Sequence, residues 1–148
     1  MMTNLLIISA NIHKELSEKQ LTYCVELVKK STHAYQVEIA AAGTYEIPFI
    51  INAYHQKNPF DGYIALGLVL NKNQDHYDFI MSHIKECFTR FALNNIPVGN
   101  GIIAAPTFEE LASKVDSQDP CLSAYSSAFN AVDYLIKLKN RLSLTSNL

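Results

Sequence analysis

Arginine is scarce in this sequence and tryptophan is absent. The chain has 148 residues, with 12 lysines and arginines together against 14 aspartates and glutamates, and its only arginines are Arg90 and Arg141. The formal net charge of −2 leaves no basic stripe to neutralise a nucleic-acid backbone, so nucleic-acid binding is disfavoured. Because 49% of the residues are hydrophobic, the composition indicates a globular protein with a packed core and not a disordered chain.

Long hydrophobic runs are also missing. The longest apolar stretch covers residues 64–70 and contains Gly67, far short of the roughly 18 residues that a membrane span requires. The sequence enters its first apolar run at Leu5 without a charged leader or a cleavage-like site. We therefore expect a first strand there instead of a signal peptide, a cytoplasmic location and no contact with a membrane.

Cysteine is too sparse for a disulfide framework. The three cysteines, Cys24, Cys87 and Cys121, are widely spaced, and no pair has the spacing of metal ligands. Each lies in a helix-like pattern, so we expect buried free thiols. A chain of this length buries roughly 70% of the surface that its unfolded form exposes, so its stability requires neither a disulfide nor a metal.

Short apolar runs alternate with segments of helical periodicity. The predicted strands cover residues 5–9, 36–40, 63–70 and 96–104. The predicted helices cover residues 15–30, a segment opened by Pro48, residues 76–93, a short segment from Thr107 to Val115 and a last segment opened by Pro120. This alternation predicts a single three-layer α/β domain over residues 1–148, with a parallel sheet between helix layers.

Three details refine this prediction. Residues 63–70 form an almost continuous apolar run bounded by turn residues, which is typical of a central strand covered on both faces. Ser17 is a candidate cap for the first helix, and Thr107 with Glu110 fits a capping box. Residues 143–148 are expected to form a frayed tail.

The candidate sites are the loops that follow the predicted strands, because ligands of open parallel sheets bind beyond the carboxyl ends of the strands. The polar segments there are residues 10–12, 43–48 and 71–76, and Asn100 lies within the fourth predicted strand. Residues 71–75 contain no glycine, so they give no support for a nucleotide-binding fingerprint.

Three pieces of the sequence together resemble one known family. Residues 43–48 read Gly-Thr-Tyr-Glu-Ile-Pro and are similar to the Gly-Ala-Phe-Glu-Ile-Pro of lumazine synthases. Ala-Leu-Gly at 65–67 is followed nine residues later by His-Tyr-Asp at 76–78, and residues 96–98 with Gly101 resemble the family's fourth strand. The match is collinear over nearly the whole chain, which therefore resembles a divergent member of the lumazine synthase (riboflavin synthase beta-chain) family.

The resemblance implies a flavodoxin-like subunit in homopentamers, with each active site shared between neighbouring subunits. It also implies small-molecule substrates, no cofactor, no metal and a functional link to riboflavin synthase. In the implied reaction, the 5-amino group of 5-amino-6-(ribitylamino)uracil condenses with the ketone of 3,4-dihydroxy-2-butanone 4-phosphate. Phosphate is then eliminated, and ring closure with loss of water gives 6,7-dimethyl-8-ribityllumazine.

His76 is the residue to which the resemblance assigns catalysis. Each step moves protons, and an imidazole that titrates near neutrality can both accept and donate them. Glu46 would accept hydrogen bonds from two ribityl hydroxyls, and the following helix N-terminus favours its negative charge. The other positions that the resemblance assigns to the ribityl-uracil substrate are Ala10, Asn11, Thr44, Tyr45, Leu68, Val69, Leu70 and Asn100.

The phosphate site departs from the family's usual pattern. Residues 71–74 read Asn-Lys-Asn-Gln where the family usually has Arg-Gly-x-Thr, and Asp75 follows. The family's phosphate-binding arginine aligns with Lys114, which keeps the charge but loses the bidentate fork, and a second basic residue aligns with Leu122. The residues expected to contact the phosphate-bearing substrate are Asn73, Gln74, Lys114 and Lys72.

Two aromatic positions differ as well. The residue after the first strand usually stacks on the pyrimidine and is aromatic, but here it is Ala10. The neighbouring subunit usually contributes another aromatic residue from its fourth strand, at the position of Asn100. These departures keep a second hypothesis open, in which the chain is a non-catalytic relative that binds a flavin or lumazine or only assembles.

Simpler interpretations also stay open for single residues. His76 could be a polar helix-opening residue, Glu46 a first-turn acid, and Asn11 a cap. Lys72 and Lys114 could be solvated charges.

The remaining histidines have simple interpretations too. His83 lies seven residues after His76, too far along a helix for one metal ion without other ligands, so we expect an ordinary surface or interface role for it. His13, His33 and His55 lie beside polar helix ends or turns and are expected to be solvated.

Overall fold

A four-stranded parallel sheet forms the centre of the molecule. The computed structural model describes residues 2–117, 119 and 123–146 of the chain. The strands are β1 (Asn4–Ala10), β2 (Ala34–Ala40), β3 (Gly62–Leu70) and β4 (Val98–Ala105), in the order β2-β1-β3-β4. Every neighbouring pair is parallel, and β3 lies in the interior of the sheet as predicted.

Helices cover both faces of this sheet. Those in the described residues are α1 (Lys14–Lys29), α2 (Ile47–Lys57), α3 (Gln74–Leu93), α4 (Phe108–Asp116) and α5 (Ala124–Arg141). Successive side chains of a strand point to opposite faces, so Leu5 and Ile7 of β1 pack with α1 and α5, whereas Leu6 and Ile8 pack with α2 and α3. The result is the predicted three-layer α/β/α sandwich of the flavodoxin-like type.

Element ends differ from the sequence prediction where pairing or capping decides them. β2 begins at Ala34, two residues earlier than predicted, because Ala34 pairs with Asn4 of β1. α3 begins at Gln74 and not at His76, because the Asn73 side chain accepts the His76 backbone N–H at 3.1 Å.

The predicted caps have different outcomes. Thr107 does cap α4, since its hydroxyl oxygen accepts the Glu110 backbone N–H at 3.2 Å. The prediction for Ser17 is wrong, because this residue is buried inside α1 and His13 occupies the N-cap position. A serine one turn inside the helix has the same sequence signature as a cap, so the pattern could not separate the two.

The predicted thiols are only partly described. Cys24 is fully buried and free, and burial raises the pKa of its thiol to about 12. Cys87 is free and half-buried instead of fully buried. Cys121 and the predicted helix start at Pro120 lie outside the described residues.

Two histidines at the amino end of the sheet were predicted to be solvated, but His33 is nearly buried and His55 is half-buried. The His33 side chain is only 5% exposed, and its Nε2 lies 2.8 Å from a carboxylate oxygen of Asp133 in α5. His55 of α2 has its Nδ1 3.0 Å from the hydroxyl of the buried Tyr63. Both rings connect a helix to the start of the sheet. Local sequence could not indicate the His33 contact, since His33 and Asp133 are 100 residues apart.

The segment after α5 is attached to the body of the molecule at the same end. Asn95 donates its side-chain N–H to the Thr145 carbonyl at 3.0 Å, and the Ser146 hydroxyl donates to the Asn95 carbonyl at 3.2 Å. The predicted fraying of this tail is therefore wrong for residues 143–146. Across the described part of the chain, no helix combines the length and the apolar character that crossing a membrane requires.

Candidate active site

A cavity of about 450 Å³ opens at the carboxyl end of the sheet. It lies between the end of β3, the loop after β1, the turn that precedes α2 and the first turns of α3. This is the edge where ligands of open parallel sheets bind. Its lining residues are Ile12, His13, Ala42, Gly43, Thr44, Tyr45, Glu46, Leu68, Val69, Leu70, His76, Phe79 and Ile80.

Glu46 reaches the cavity from a single 3-10 turn, Thr44–Glu46, which the sequence pattern did not predict. The turn is entered through Gly43, whose φ of 138° lies in the region that favours glycine. Thr44 is buried against β3 at Gly67, where a Cβ atom would lie 2.7 Å from the Thr44 hydroxyl oxygen. Glu46 occupies the N-cap position of α2 but makes no side-chain capping bond, so its carboxylate remains available to a ligand.

His76 reaches the same cavity from the first turn of α3. Its backbone N–H is satisfied by Asn73, and its ring is exposed. Within the described part of the chain, no hydrogen bond to the His76 ring is found. Glu46 and His76 therefore come from two different helix starts and line one cavity, above a floor formed by Leu68, Val69 and Leu70.

The sequence of this chain is similar to that of known proteins over almost its whole length. The family model for 6,7-dimethyl-8-ribityllumazine synthase matches residues 2–141 of the chain. The chain belongs to the lumazine synthase family.

Individual relatives agree at low identity. A 6,7-dimethyl-8-ribityllumazine synthase of Jannaschia sp. (strain CCS1) is 30% identical over 110 residues, which are 74% of this chain and 61% of the relative. The enzyme of that name from Novosphingobium aromaticivorans is 26% identical over 119 residues, or 80% of this chain and 83% of the relative. The one from Zymomonas mobilis subsp. mobilis is 23% identical over 142 residues, which are 96% of this chain and 100% of the relative. The chain is thus a divergent lumazine synthase relative.

Seven of the residues that the family resemblance assigned to substrate or catalysis line this cavity. They come from three separate segments of the chain, and the fold brings residues 44–46 together with residues 68–70 and His76, which lie more than 20 residues further along the chain. These residues are Thr44, Tyr45, Glu46, Leu68, Val69, Leu70 and His76. Their roles stay predictions.

Three other assigned residues do not line the cavity. Ala10 is 2% exposed and packs in the core cluster that includes α2, and the backbone N–H of Asn11 donates to the Ala40 carbonyl at 3.2 Å. Asn100 is exposed on β4 at the opposite edge of the sheet from β2, where its side chain accepts the Ile102 N–H at 3.0 Å. The family would use this position in the neighbouring subunit, so its role stays a prediction.

The residues assigned to phosphate also lie outside the cavity lining. Gln74 donates to a carboxylate oxygen of Asp78 at 2.7 Å, and Lys114 donates from Nζ to the Ala104 carbonyl at 2.9 Å. Lys72 and Asn73 are exposed in the loop before α3. Leu122, where the family usually has a basic residue, lies outside the described residues.

Sequence reasoning missed two notable residues of the cavity, His13 and Phe79. His13 lines the cavity from the N-cap position of α1, and its ring makes an edge contact with Phe108 at a centroid distance of 6.0 Å. Phe79 lies three residues after His76, so helical periodicity places both on the same side of α3, and this spacing could have identified it. Among the described residues, no three histidine, cysteine or acidic side chains are grouped as metal ligands.

Proposed function

We propose that this chain is an active 6,7-dimethyl-8-ribityllumazine synthase. It would condense 5-amino-6-(D-ribitylamino)uracil with 3,4-dihydroxy-2-butanone 4-phosphate and release phosphate and water, without a cofactor. The observation that carries the proposal is that Glu46 and His76 line one cavity at the carboxyl edge of the sheet. The proposal includes a cytoplasmic homopentamer whose sites are completed by neighbouring subunits, and a product that riboflavin synthase consumes.

Glu46 is proposed to hold the ribityl chain. Its carboxylate is free of capping bonds, and each of its two oxygens can accept a hydrogen bond from a ribityl hydroxyl. The floor of Leu68, Val69 and Leu70 offers an apolar surface to the pyrimidine ring.

His76 is proposed to move the protons of the reaction. The attack of the 5-amino group on the ketone requires a proton to leave the nitrogen and another to reach the oxygen that departs as water. Elimination of phosphate then requires removal of a proton from carbon. One imidazole beside the reacting atoms can perform these transfers in turn, because it both accepts and donates protons near neutral pH.

Turnover by the purified chain tests this proposal. With both substrates present, we expect the fluorescent product to form faster than in a protein-free blank. His76→Ala should lower kcat by about 100-fold, the lower range for general acid and base catalysis. Lys85→Ala is the matched control, because Lys85 is exposed on the same helix and does not line the cavity. Product formation at the rate of the blank would contradict the proposal.

A second candidate function follows from the phosphate region. Lys114 and Gln74 do not line the cavity, and each donates a hydrogen bond to another protein group. This favours a relative that binds a flavin or lumazine without turnover. Calorimetric titration with 3,4-dihydroxy-2-butanone 4-phosphate separates the two, because the enzyme must bind it saturably and the non-catalytic binder has no site for it.

A further inference from the structure

Two aromatic rings, those of Tyr45 and Phe79, line one side of the cavity. The family resemblance assigns Tyr45 to the ribityl-uracil substrate without a role for its ring, and it assigns no role to Phe79. Phe79 of α3 is 64% exposed and Tyr45 of the Thr44–Glu46 turn is 37% exposed. Their rings stack on each other, at an interplanar angle of 6° and a centroid distance of 5.5 Å. Both line the cavity together with Glu46 and His76. Large apolar side chains that remain this exposed inside a concave site mark a contact surface for a ligand.

His83 holds the Tyr45 ring in this orientation. The imidazole stacks on the Tyr45 ring at a centroid distance of 4.0 Å, and its Nε2 lies 3.1 Å from the Tyr45 carbonyl oxygen. A carbonyl can only accept, so Nε2 carries the proton and donates it to Tyr45. The Nδ1 atom of the same ring lies 3.7 Å from the Cys87 Sγ. The Tyr45 backbone and ring are thus both fixed against α3.

On the opposite side of the cavity lies the His13 imidazole, which is already engaged in the edge contact with Phe108. Ala10, the last residue of β1, is buried and has no aromatic face. Ile12 and Leu68 are aliphatic. Flat heteroaromatic rings bind most favourably face to face with aromatic side chains, and among the described lining residues the phenyl and phenol rings lie on the α3 side.

We propose that Phe79 and Tyr45 form an aromatic wall in which the exposed Phe79 ring stacks on the flat heteroaromatic ring of the ligand, a pyrimidine or pteridine. Tyr45 supports Phe79 from behind, and His83 is the positioning residue that holds Tyr45. The identity of the ligand ring rests on the proposed function, whereas stacking on the aromatic wall requires only that some planar heterocycle enters the cavity. The wall determines how tightly the ring of the ligand binds, and Glu46 determines how tightly its polyhydroxylated chain binds.

Two probes separate these contributions in the full chain. Lumichrome carries a flat ring system without a ribityl chain, whereas riboflavin carries a similar ring with one. We expect Phe79→Ala to weaken the binding of both probes by about tenfold, within the range found for stacking on an aromatic residue. Glu46→Gln should weaken riboflavin binding and leave lumichrome binding unchanged. Phe79→Tyr keeps the ring and should bind both within about twofold of the unchanged chain.

Phe49→Ala is the matched control. Phe49 is 75% exposed on the neighbouring helix α2 but does not line the cavity, so its removal should leave both probe affinities unchanged. Sedimentation of each variant reports the assembly state. The proposed aromatic wall would be contradicted if Phe79→Ala bound both probes as tightly as the unchanged chain, or if Phe49→Ala lost as much affinity as Phe79→Ala. It would also be contradicted if the unchanged chain bound neither probe saturably. Failure of the proposed function is distinct, since it would abolish turnover and leave ring binding intact.

Discussion

The two ends of the sheet use the same residue types in opposite ways. At the amino end, His33 pairs with Asp133 and His55 with the Tyr63 hydroxyl. At the carboxyl end, His76 is exposed and the Glu46 carboxylate makes no capping bond. An imidazole or carboxylate that is already paired contributes to stability, whereas one left open to a cavity can serve a ligand. The amino end of the sheet is therefore stabilised by these pairs, and the carboxyl end is where the active site is proposed.

The largest expected effect tests the structural end. Gly99, near the start of β4, has no space for a side chain, because a Cβ atom would lie 2.1 Å from the Ala128 backbone carbonyl oxygen in α5. Gly99→Ala must move a helix backbone, so we expect it to lower the free energy of unfolding by about 3 kcal/mol. Urea denaturation measures this change.

The control for this substitution is Gln36→Ala, at an exposed position of the edge strand β2, which should change the free energy of unfolding by less than about 0.5 kcal/mol. Riboflavin affinity of the folded Gly99→Ala protein should stay unchanged. A loss of ligand affinity without a loss of stability would contradict the division between the two ends.

A smaller effect concerns the His33 and Asp133 pair. Burial alone would raise the pKa of Asp133, but hydrogen bonds from Lys137 and His33, and their charges, outweigh it and lower the pKa below the ordinary 3.8. The carboxylate therefore stabilises the folded chain fully above that ordinary value, and this contribution is lost as the pH falls through the lower folded pKa.

Asp133→Asn removes this contribution without changing the shape of the side chain. We expect it to lower the free energy of unfolding by about 1 kcal/mol at pH 7, and the difference from the unchanged chain should shrink below about pH 4. Urea denaturation of both proteins at several pH values measures whether this difference in the free energy of unfolding becomes smaller towards acid pH. A difference that grows towards acid pH would contradict the assignment.

The smallest expected effect concerns the positioning of Tyr45. His83→Phe keeps a ring to stack on Tyr45 but removes the Nε2 donor to its carbonyl. We expect lumichrome affinity to fall about threefold, the effect of weakening one neutral hydrogen bond, with little change in unfolding. His83→Gln, which has a donor but no ring, is its counterpart. If both variants bound lumichrome as tightly as the unchanged chain, the proposed role of His83 in positioning Tyr45 would be contradicted.

Much of the fold was predictable because it depends on local periodicity. The apolar run of β3 and the helical spacing of α1 and α3 are visible in any window of the sequence. The Thr44–Glu46 turn was not, because it depends on a positive φ at Gly43 and on the close approach of Thr44 to Gly67 in a different strand. Such long-range contacts have no periodic signature.

The site was predictable to the extent that motifs were shared with a family. Glu46 and His76 lie in recognisable motifs, and the structure brings them to one cavity. His13 lies in no motif, so only the three-dimensional arrangement revealed it, whereas Phe79 lies three residues after His76 and helical spacing alone could have indicated it. Lys114 shows the converse case, since alignment assigned it to phosphate but its Nζ donates to the Ala104 carbonyl instead.

A crystal structure of the chain with 6,7-dimethyl-8-ribityllumazine bound would show whether Glu46 and His76 contact one and the same ligand. We expect the ribityl hydroxyls within hydrogen-bond distance of the Glu46 carboxylate, the ring stacked against Phe79, and the His76 imidazole beside the methyl-bearing edge of the ring. A product molecule bound elsewhere, or one that contacts Glu46 without approaching His76, would contradict it.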